Sequence, residues 1–233
     1  MKFLAGVMVF FALVSCQPET TVTIGIITDV HHDIMHDAEH RLARFIDHTN
    51  VIGTDFNIQL GDFCRPYDYN QSFLSLFNNH EGDHYHVLGN HDMDGGFTRD
   101  SVMAFFGMEN NYYSFDQGNF HFVVLDGNDK NPDPNGASGY ARFVGAAQLD
   151  WLEKDLEKTT LPSIVFSHQG FRGEFEVENA AEVRLVFEQA PSKVWASING
   201  HNHADSTFLI NDIYYIEINS ASYEWLGGDY LHE

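Results

Sequence analysis

The sequence predicts an α/β fold built on a parallel sheet, and three features carry that expectation. Short β-branched apolar runs alternate with segments of helical periodicity from residue 22 onward. A polar cluster follows each of five such runs, where α/β folds place their ligands. Two later stretches, Gln117-Gly118-Asn119 and Asn211-Asp212, carry hairpin signals, so antiparallel strands join the parallel ones.

Taken in order, Val22 to Ile27 is a β-branched buried strand ending in Thr28-Asp29-Val30-His31. Asp37 to Val51 is an amphipathic helix, with Leu42, Phe45 and Ile46 on its apolar stripe. Phe56 to Leu60 is the second strand, and Gly61-Asp62 follows it. A helix over Gln71 to Asn78 leads to a buried strand whose end is Tyr85 to Leu88, which runs into Gly89-Asn90-His91-Asp92. This β-α-β-α-β order predicts right-handed crossovers. A short helix over Asp100 to Phe106 precedes two hairpin strands, Tyr112 to Asp116 and Phe120 to Leu125. Asp126 to Gly139, rich in Gly, Pro, Asn and Asp, is a long loop that serves either as a roof over a site or as a solvated excursion. The helix Ala146 to Leu156 presents Leu149, Trp151, Leu152 and Leu156. Pro162 opens the strand Ser163 to Phe166, followed by Ser167-His168. A helix over Asn179 to Gln189 and a strand over Val194 to Ile198 lead into Gly200-His201-Asn202-His203. The last hairpin pairs Thr207 to Ile210 with Ile213 to Ile218. The chain then stops near Gly227-Gly228-Asp229 without a capping helix, the ending expected of a shortened form of a longer protein.

The first residues are a targeting segment. Lys2 precedes the apolar run Phe3 to Val14, too short for a membrane-spanning helix of roughly 17–25 residues but suited to a signal peptide. Leu13-Val14-Ser15-Cys16 resembles the lipobox of bacterial lipoproteins, in which the cysteine is acylated after cleavage. The expected organisation is therefore a leader over 1–16, a linker over 17–21 and a single domain over 22–233, exported and lipid-anchored in the bacterial periplasm or outer membrane. The competing reading is an ordinary cleaved signal with a chance cysteine. With Cys16 lipidated, Cys64 has no disulfide partner and is a small apolar filler before it is a metal ligand.

The 34 acidic residues against 12 basic ones give a formal charge of −22. Such a surface repels duplex nucleic acid and anionic membrane, so no nucleic-acid duplex is expected as a partner and the membrane is met only through the anchor at Cys16. The 14 histidines concentrate in short motifs at strand ends. Together these ends present Asp29 and His31, Asp62, Asn90, His91 and Asp92, His168, and His201 and His203. Residues two apart in extended chain project to one side, so Asp29-x-His31 and His201-x-His203 each aim both side chains at one centre. Mixed oxygen and imidazole donors suit Mn, Fe, Zn, Co or Ni better than Ca or Mg. The donors suffice for two ions, and Asp62, alone on its strand end, is the candidate bridging carboxylate.

These motifs, in this order, resemble those of the calcineurin-like metallophosphoesterases: Asp29-x-His31, Gly61-Asp62, Gly89-Asn90-His91-Asp92, Val165-x-x-His168 and Gly200-His201-x-His203. The resemblance implies a four-layer α/β/β/α sandwich with two divalent ions at strand C-termini. It assigns one ion to Asp29, His31, Asp62 and His203, and the other to Asp62, Asn90, His168 and His201. It makes His91 a proton donor or phosphate contact, with Asp92 orienting it. Tyr112-Tyr113-Ser114-Phe115, His121 to Asp126 and Gln148-Leu149-x-Trp151-Leu152 resemble the phosphodiesterase and diphosphatase branch. Purple acid phosphatases carry a tyrosine three residues after the bridging aspartate. Here that position is Arg65, so an Fe(III)–tyrosinate site is not expected.

The implied activity is dimetal hydrolysis of a small phosphodiester, nucleotide pyrophosphate or phosphomonoester, with a metal-bridging hydroxide as nucleophile. Asn90, Arg65 and Arg172 are candidate substrate contacts, although each arginine is equally placed for a surface ion pair. The alternative is a non-catalytic lipoprotein that keeps the fold to bind metal or ligand; it would tolerate a lost ligand, and none is lost. A nuclease reading would need a basic groove, which the charge balance does not supply.

Overall fold

Fourteen elements follow one another: β1 (Ile24–Ile27), α1 (Ala38–Ile52), β2 (Phe56–Gln59), α2 (Gln71–Asn78), β3 (Asp83–His86), α3 (Arg99–Phe106), β4 (Tyr113–Gln117), β5 (Phe120–Val124), α4 (Ala146–Lys158), β6 (Ser163–Ser167), α5 (Ala180–Gln189), β7 (Val194–Asn199), β8 (Ser206–Ile210) and β9 (Ile213–Glu217). They come from a computed structural model that describes residues 21–136, 138–172 and 176–222. The leader with Cys16, the linker as far as residue 20 and Gly227-Gly228-Asp229 lie outside the described residues. Among the described residues no helix is long and apolar enough to cross a membrane.

The strands form two sheets rather than one. The first is parallel, in the order β1-β2-β3; the second is mixed, in the order β4-β5-β6-β7-β9-β8. In the second sheet β5, β6, β7 and β9 are parallel neighbours, and the hairpin partners β4 and β8 are its antiparallel edges. Three hydrophobic layers bind these parts together. Leu42 and Ile46 of α1, Phe73 and Phe77 of α2, and Val102 and Phe106 of α3 cover the outer face of the first sheet. Phe56 and Ile58 of β2 pack against Phe122, Val124, Phe166 and Ile198 of the second sheet. Leu152 and Leu156 of α4 and Val183 and Phe187 of α5 close the far side over Val123, Val165 and Tyr215. This is the expected α/β/β/α sandwich. Each buried Phe or Leu contributes about 1.5–3 kcal/mol, so the central layer holds the two sheets, and their strand ends, in fixed relation.

Local chemistry accounts for the boundaries. Gly53 ends α1 in a left-handed conformation at φ 73°. Thr98 and Ser101 form a reciprocal capping box at the start of α3. Asn211 and Asp212 take φ values of 50° and 62°, the primed turn that their hairpin requires. The third strand lies earlier than expected, at Asp83–His86, because the ladder with β2 ends there; Val87 and Leu88 continue as buried chain toward Gly89.

β2 is buried on both faces, yet it carries Asn57 and Gln59. Each polar group is satisfied. Asn57 Nδ2 donates to Thr49 Oγ1 at 2.8 Å. Gln59 accepts from the Gly61 N–H at 2.6 Å and donates to the Val87 carbonyl at 3.0 Å, tying two strand ends together.

His121 of β5 joins the β4–β5 hairpin to α4. Its Nδ1 faces Asp116 at 2.7 Å and its Nε2 faces Asp155 at 2.9 Å, so both nitrogens donate only in the imidazolium form. Burial opposes that charge, but the hydrogen bonds to Asp155 and Asp116 outweigh it and raise the imidazole above its ordinary value. The resulting stabilisation is present in full below about pH 6.5 and fades as pH rises through the folded-state value. His121→Gln is expected to cost about 1 kcal/mol at pH 5.5. Urea unfolding of both proteins at pH 5.5 and pH 9 should show that difference shrinking at the higher pH; a constant difference would leave the imidazolium without a role.

Candidate metal centre

All five polar clusters lie at the C-terminal ends of parallel strands: β1, β2 and β3 in one sheet, β6 and β7 in the other. Two groups of side chains converge there, Asp29 with His31 and His203, and Asp62 with His168 and His201. In each group one ligand atom per residue lies within 4.8 Å of the others.

The backbone is bent to make this possible. Seven described non-glycine residues have positive φ; two form the Asn211-Asp212 turn, and the other five are Asp29, His31, Asp62, His201 and His203. Left-handed backbone is disfavoured for such residues and persists only where the surroundings impose it. Here the surroundings are hydrogen bonds between neighbouring strand ends. Asp29 N–H donates to the Gly61 carbonyl at 3.1 Å and His31 N–H to the Asp62 carbonyl at 2.9 Å. His201 N–H donates to Asp29 Oδ2 at 3.0 Å, and Thr28 Oγ1 donates to the same oxygen at 2.6 Å.

Two motif glycines are needed for approach rather than for turning alone. A Cβ on Gly89 would collide with the backbone nitrogen and carboxylate of Asp62, and one on Gly200 with Thr28 and the carboxylate of Asp29. Each strand end is thus packed directly against the side chain presented by its neighbour.

The donor chemistry calls for a cation. His168 Nδ1 lies 2.8 Å from the Leu60 carbonyl, which makes Nδ1 a proton-bearing nitrogen and turns Nε2 inward. That Nε2 meets Asp62 Oδ2 at 3.2 Å, Asn90 Oδ1 at 3.1 Å and His201 Nδ1 at 3.2 Å. Asn90 turns its oxygen to this point and leaves its buried Nδ2 without a hydrogen-bond partner. In the other group, His203 Nε2 lies 3.1 Å from Asp29 Oδ1 and 3.4 Å from His31 Nε2. Asp62 Oδ2 serves both groups, since it is also 3.8 Å from His31 Nε2. Such crowding of acceptors needs positive charge, and the titration behaviour agrees. Burial opposes an imidazolium at His168, yet the Asp62 carboxylate outweighs it and raises the ring to about 10. Asp62 and Asp29 are held below the ordinary carboxylate range despite burial, by His168 and by the hydrogen bond from His203 respectively. His31 falls to about 4, mainly through burial, so it remains a neutral donor. These residues fit a pair of divalent ions of the borderline class.

The remaining candidates divide. His91 lies beside the centre, with its N–H on Asp62 Oδ1 at 2.8 Å, but Asp92 does not orient its ring. Both oxygens of Asp92 are occupied by backbone N–H groups, Phe63 at 2.7 Å and Gly89 at 2.8 Å, and it clamps the two loops together. The carboxylate on His91 is Asp94, whose Oδ2 lies 2.7 Å from Nδ1. The reason is local: residues 91–93 form a single helical turn, which carries position 94 back over 91 and turns position 92 inward. Arg65 does reach the site, lining a cavity with His31, Asp62 and His91 and lying 3.8 Å from Asp94. Arg172 does not; its guanidinium sits 3.3 Å from Glu217 and over the Phe208 ring, and among the described residues it lines neither cavity of the centre. Cys64 is buried, its thiol is pushed well up, first by burial, and neither converging group among the described residues includes it.

Three further residues shape the centre without having been singled out. Gln59 and Thr28 act as described. Tyr140 donates to Asp94 Oδ1 at 2.9 Å and lies 3.1 Å from His91 Nδ1. It stands one residue beyond the loop over 126–139, whose first part is pinned down by Asn128 Nδ2 on the Leu88 carbonyl. The chain therefore returns to the site just past that loop, whose composition left a roof and a solvated excursion equally open.

A family model described as calcineurin-like phosphoesterase matches residues 22–205. No curated protein matches the chain. Among solved structures, a dimetal phosphatase from Danio rerio superposes with a TM-score of 0.69 at 17% identity, over 86% of this chain and 88% of that one. GAP50, the anchor in the inner membrane complex of Plasmodium, gives 0.65 at 14% identity, over 86% of this chain and 72% of that one. TT1561 of Thermus thermophilus gives 0.56 at 13% identity, over 86% and 91%. At these identities the superpositions speak for the fold alone.

Gly200→Ala should push Asp29 out of its group while leaving the core intact. Calorimetric titration with Mn²⁺ is expected to show at least a tenfold loss of affinity, of the order that a disturbed supporting contact costs. Wild-type affinity in a folded variant would mean that this close approach does not set the ligand geometry.

Proposed function

The chain belongs to the calcineurin-like phosphoesterase family and is a hydrolase of phosphoric esters, and on that premise we propose that it works through two divalent ions held by Asp29, His31, Asp62, Asn90, His168, His201 and His203. The observation that carries this reading is the convergence of carboxylate, amide and imidazole groups on His168 Nε2, with Asp62 Oδ2 shared between that group and His31. When bound, the ions would supply charge against the phosphoryl oxygens and a hydroxide at neutral pH.

The protein's own residues supply the rest. A phosphate ester is an anion approaching a chain of charge −22, so the favourable field has to be local and fixed in advance. The strand-end hydrogen bonds and central apolar layer fix it, because the ligands need not move to receive the substrate. His91 stands at the mouth of the centre, beside His31 at a ring separation of 5.5 Å. Asp94 and Tyr140 hold Nδ1 and so fix the ring at the mouth of the centre, and we assign this imidazole the transfer of a proton to the leaving oxygen. Asp94 is the residue that positions this ring, and Asp92 keeps the Gly89 turn against Phe63. Arg65 is the cation placed to meet an ester oxygen.

We further propose that the mature chain is exported and anchored by lipid at Cys16, on the strength of the apolar leader and the Leu13-Val14-Ser15-Cys16 signature. Labelled palmitate should be incorporated by the wild type and not by Cys16→Ala.

With added Mn²⁺, the purified protein is expected to hydrolyse an activated aryl phosphate. Asp62→Ala should lose that activity together with bound metal. Equal turnover in variant and wild type would overturn the assignment, and absence of turnover in a metal-loaded wild type would favour the binding-protein reading. His91→Ala should keep its metal and lose roughly 10²–10⁴ in rate, most with poor leaving groups. Asp94→Asn should follow the same leaving-group trend more weakly. Loss of metal from His91→Ala would instead make His91 a ligand.

A further inference from the structure

Beside the centre lies a cavity of about 170 Å³, bounded by three neighbouring loops: residues 31–34, 62–65 and 91–94. It shares His31, Asp62 and His91 with the cavity over the metal ligands, so a group bonded to a phosphate there can reach directly into it. Its floor holds the buried Phe63 and Cys64, and its rim holds Ile34, which is 45% exposed. Two tyrosines flank it. Tyr69 donates to Asp33 Oδ1 at 3.1 Å and Tyr140 to Asp94 Oδ1 at 2.9 Å, and both side chains stay largely open to solvent. Ile34, Tyr69 and Tyr140 are thus exposed apolar groups gathered around one opening.

Charge sorts the possible occupants. Beyond the metal ligands and the clamped Asp92, the cavity is lined by Asp33 and Asp94, against Arg65 as its lysine or arginine. Arg65 is already shared with Asp94 at 3.8 Å. A second phosphate or a carboxylate entering here would meet a negative balance and one partly neutralised cation. A neutral or cationic group would meet an apolar floor, the Phe63 ring and two carboxylates, a lining suited to an ammonium group. The volume is close to the roughly 150 Å³ cavity that takes a benzene ring, so a small alcohol fits and a nucleoside does not fit entirely.

We infer that this cavity is a leaving-group subsite that takes a small uncharged or cationic alcohol and rejects an anionic one, which favours an ester with a single phosphate over a pyrophosphate. The inference rests on the phosphoesterase reading above and narrows its substrate. With a diester, the oxygen of water bonds to phosphorus and the P–O bond to the small alcohol breaks. That alcohol's oxygen takes a proton, and a phosphomonoester and one proton are released.

The test uses three ethyl aryl phosphodiesters on the Mn²⁺-loaded protein. Their para substituents are trimethylammoniomethyl, hydroxymethyl and carboxymethyl; the intervening methylene keeps the leaving groups similar in acidity. The expected order of kcat/KM is cationic at or above neutral, and neutral about tenfold above anionic, the scale of one like-charge contact at a partly screened surface. Ile34→Lys should shrink the neutral-to-anionic ratio to below about threefold, and Ile34→Glu should widen it. Metal content of both variants, measured alongside, should equal that of wild type. Equal kcat/KM for the three esters, a preference for the anionic one, or ratios indifferent to both substitutions would overturn the subsite while leaving the phosphoesterase reading intact. No hydrolysis of any ester, including an activated aryl phosphate, would instead overturn the reading on which the subsite rests.

Discussion

The organisation of this protein follows from one constraint: acceptors are held against one another at the ends of two sheets. Asp62 Oδ2, Asn90 Oδ1 and His201 Nδ1 crowd around His168 Nε2, a cluster that calls for positive charge. Such an arrangement repels itself, and a chain free to relax would turn these groups away. It is prevented from doing so on two scales. Locally, left-handed backbone at Asp29, Asp62 and His201 is secured by N–H groups from adjacent strand ends. Globally, Phe56, Phe122 and Phe166 fix the spacing of the sheets from which those ends emerge. The core thus holds in place a cluster whose electrostatics a pair of cations, as proposed, would relieve.

Polar links between the sheets reinforce this coupling. The imidazole of His168, from the second sheet, bonds the carbonyl of Leu60 in the first, and the N–H of His201 bonds the carboxylate of Asp29. Side chains of the two candidate metal-binding groups are therefore also ties between halves of the fold. Substituting one of them disturbs packing and chemistry at once, and the conservative exchanges are the informative ones.

Much of this was legible in the sequence because it depends on spacing and on strand ends. Asp29-x-His31 and His201-x-His203 follow apolar runs, and the alternation of periodicities located every helix and strand to within a few residues. What was not legible depends on how a turn closes or on where distant chain returns. Position 92 looked like the partner of His91, but one helical turn gives that part to Asp94. Arg172 follows a strand end as Arg65 does, yet Glu217 and Phe208 of the β8–β9 hairpin claim it, and no local pattern announces that. Tyr140 belongs to the site through a long loop whose composition specifies flexibility but not destination. The division into two sheets likewise depends on a packing layer that alternation alone does not encode.

Cys64 offers a last consequence. It sits two residues after Asp62, covered by the first apolar layer, with its thiol pushed far from ionisation. Thiolate is the reactive form, so alkylating reagents and oxidants should pass this sulfur by as long as the loops around it stay closed. The sulfur can then serve as a built-in clock: the rate at which it becomes labelled reports how often this end of the sandwich breathes open, with no dye or tag introduced.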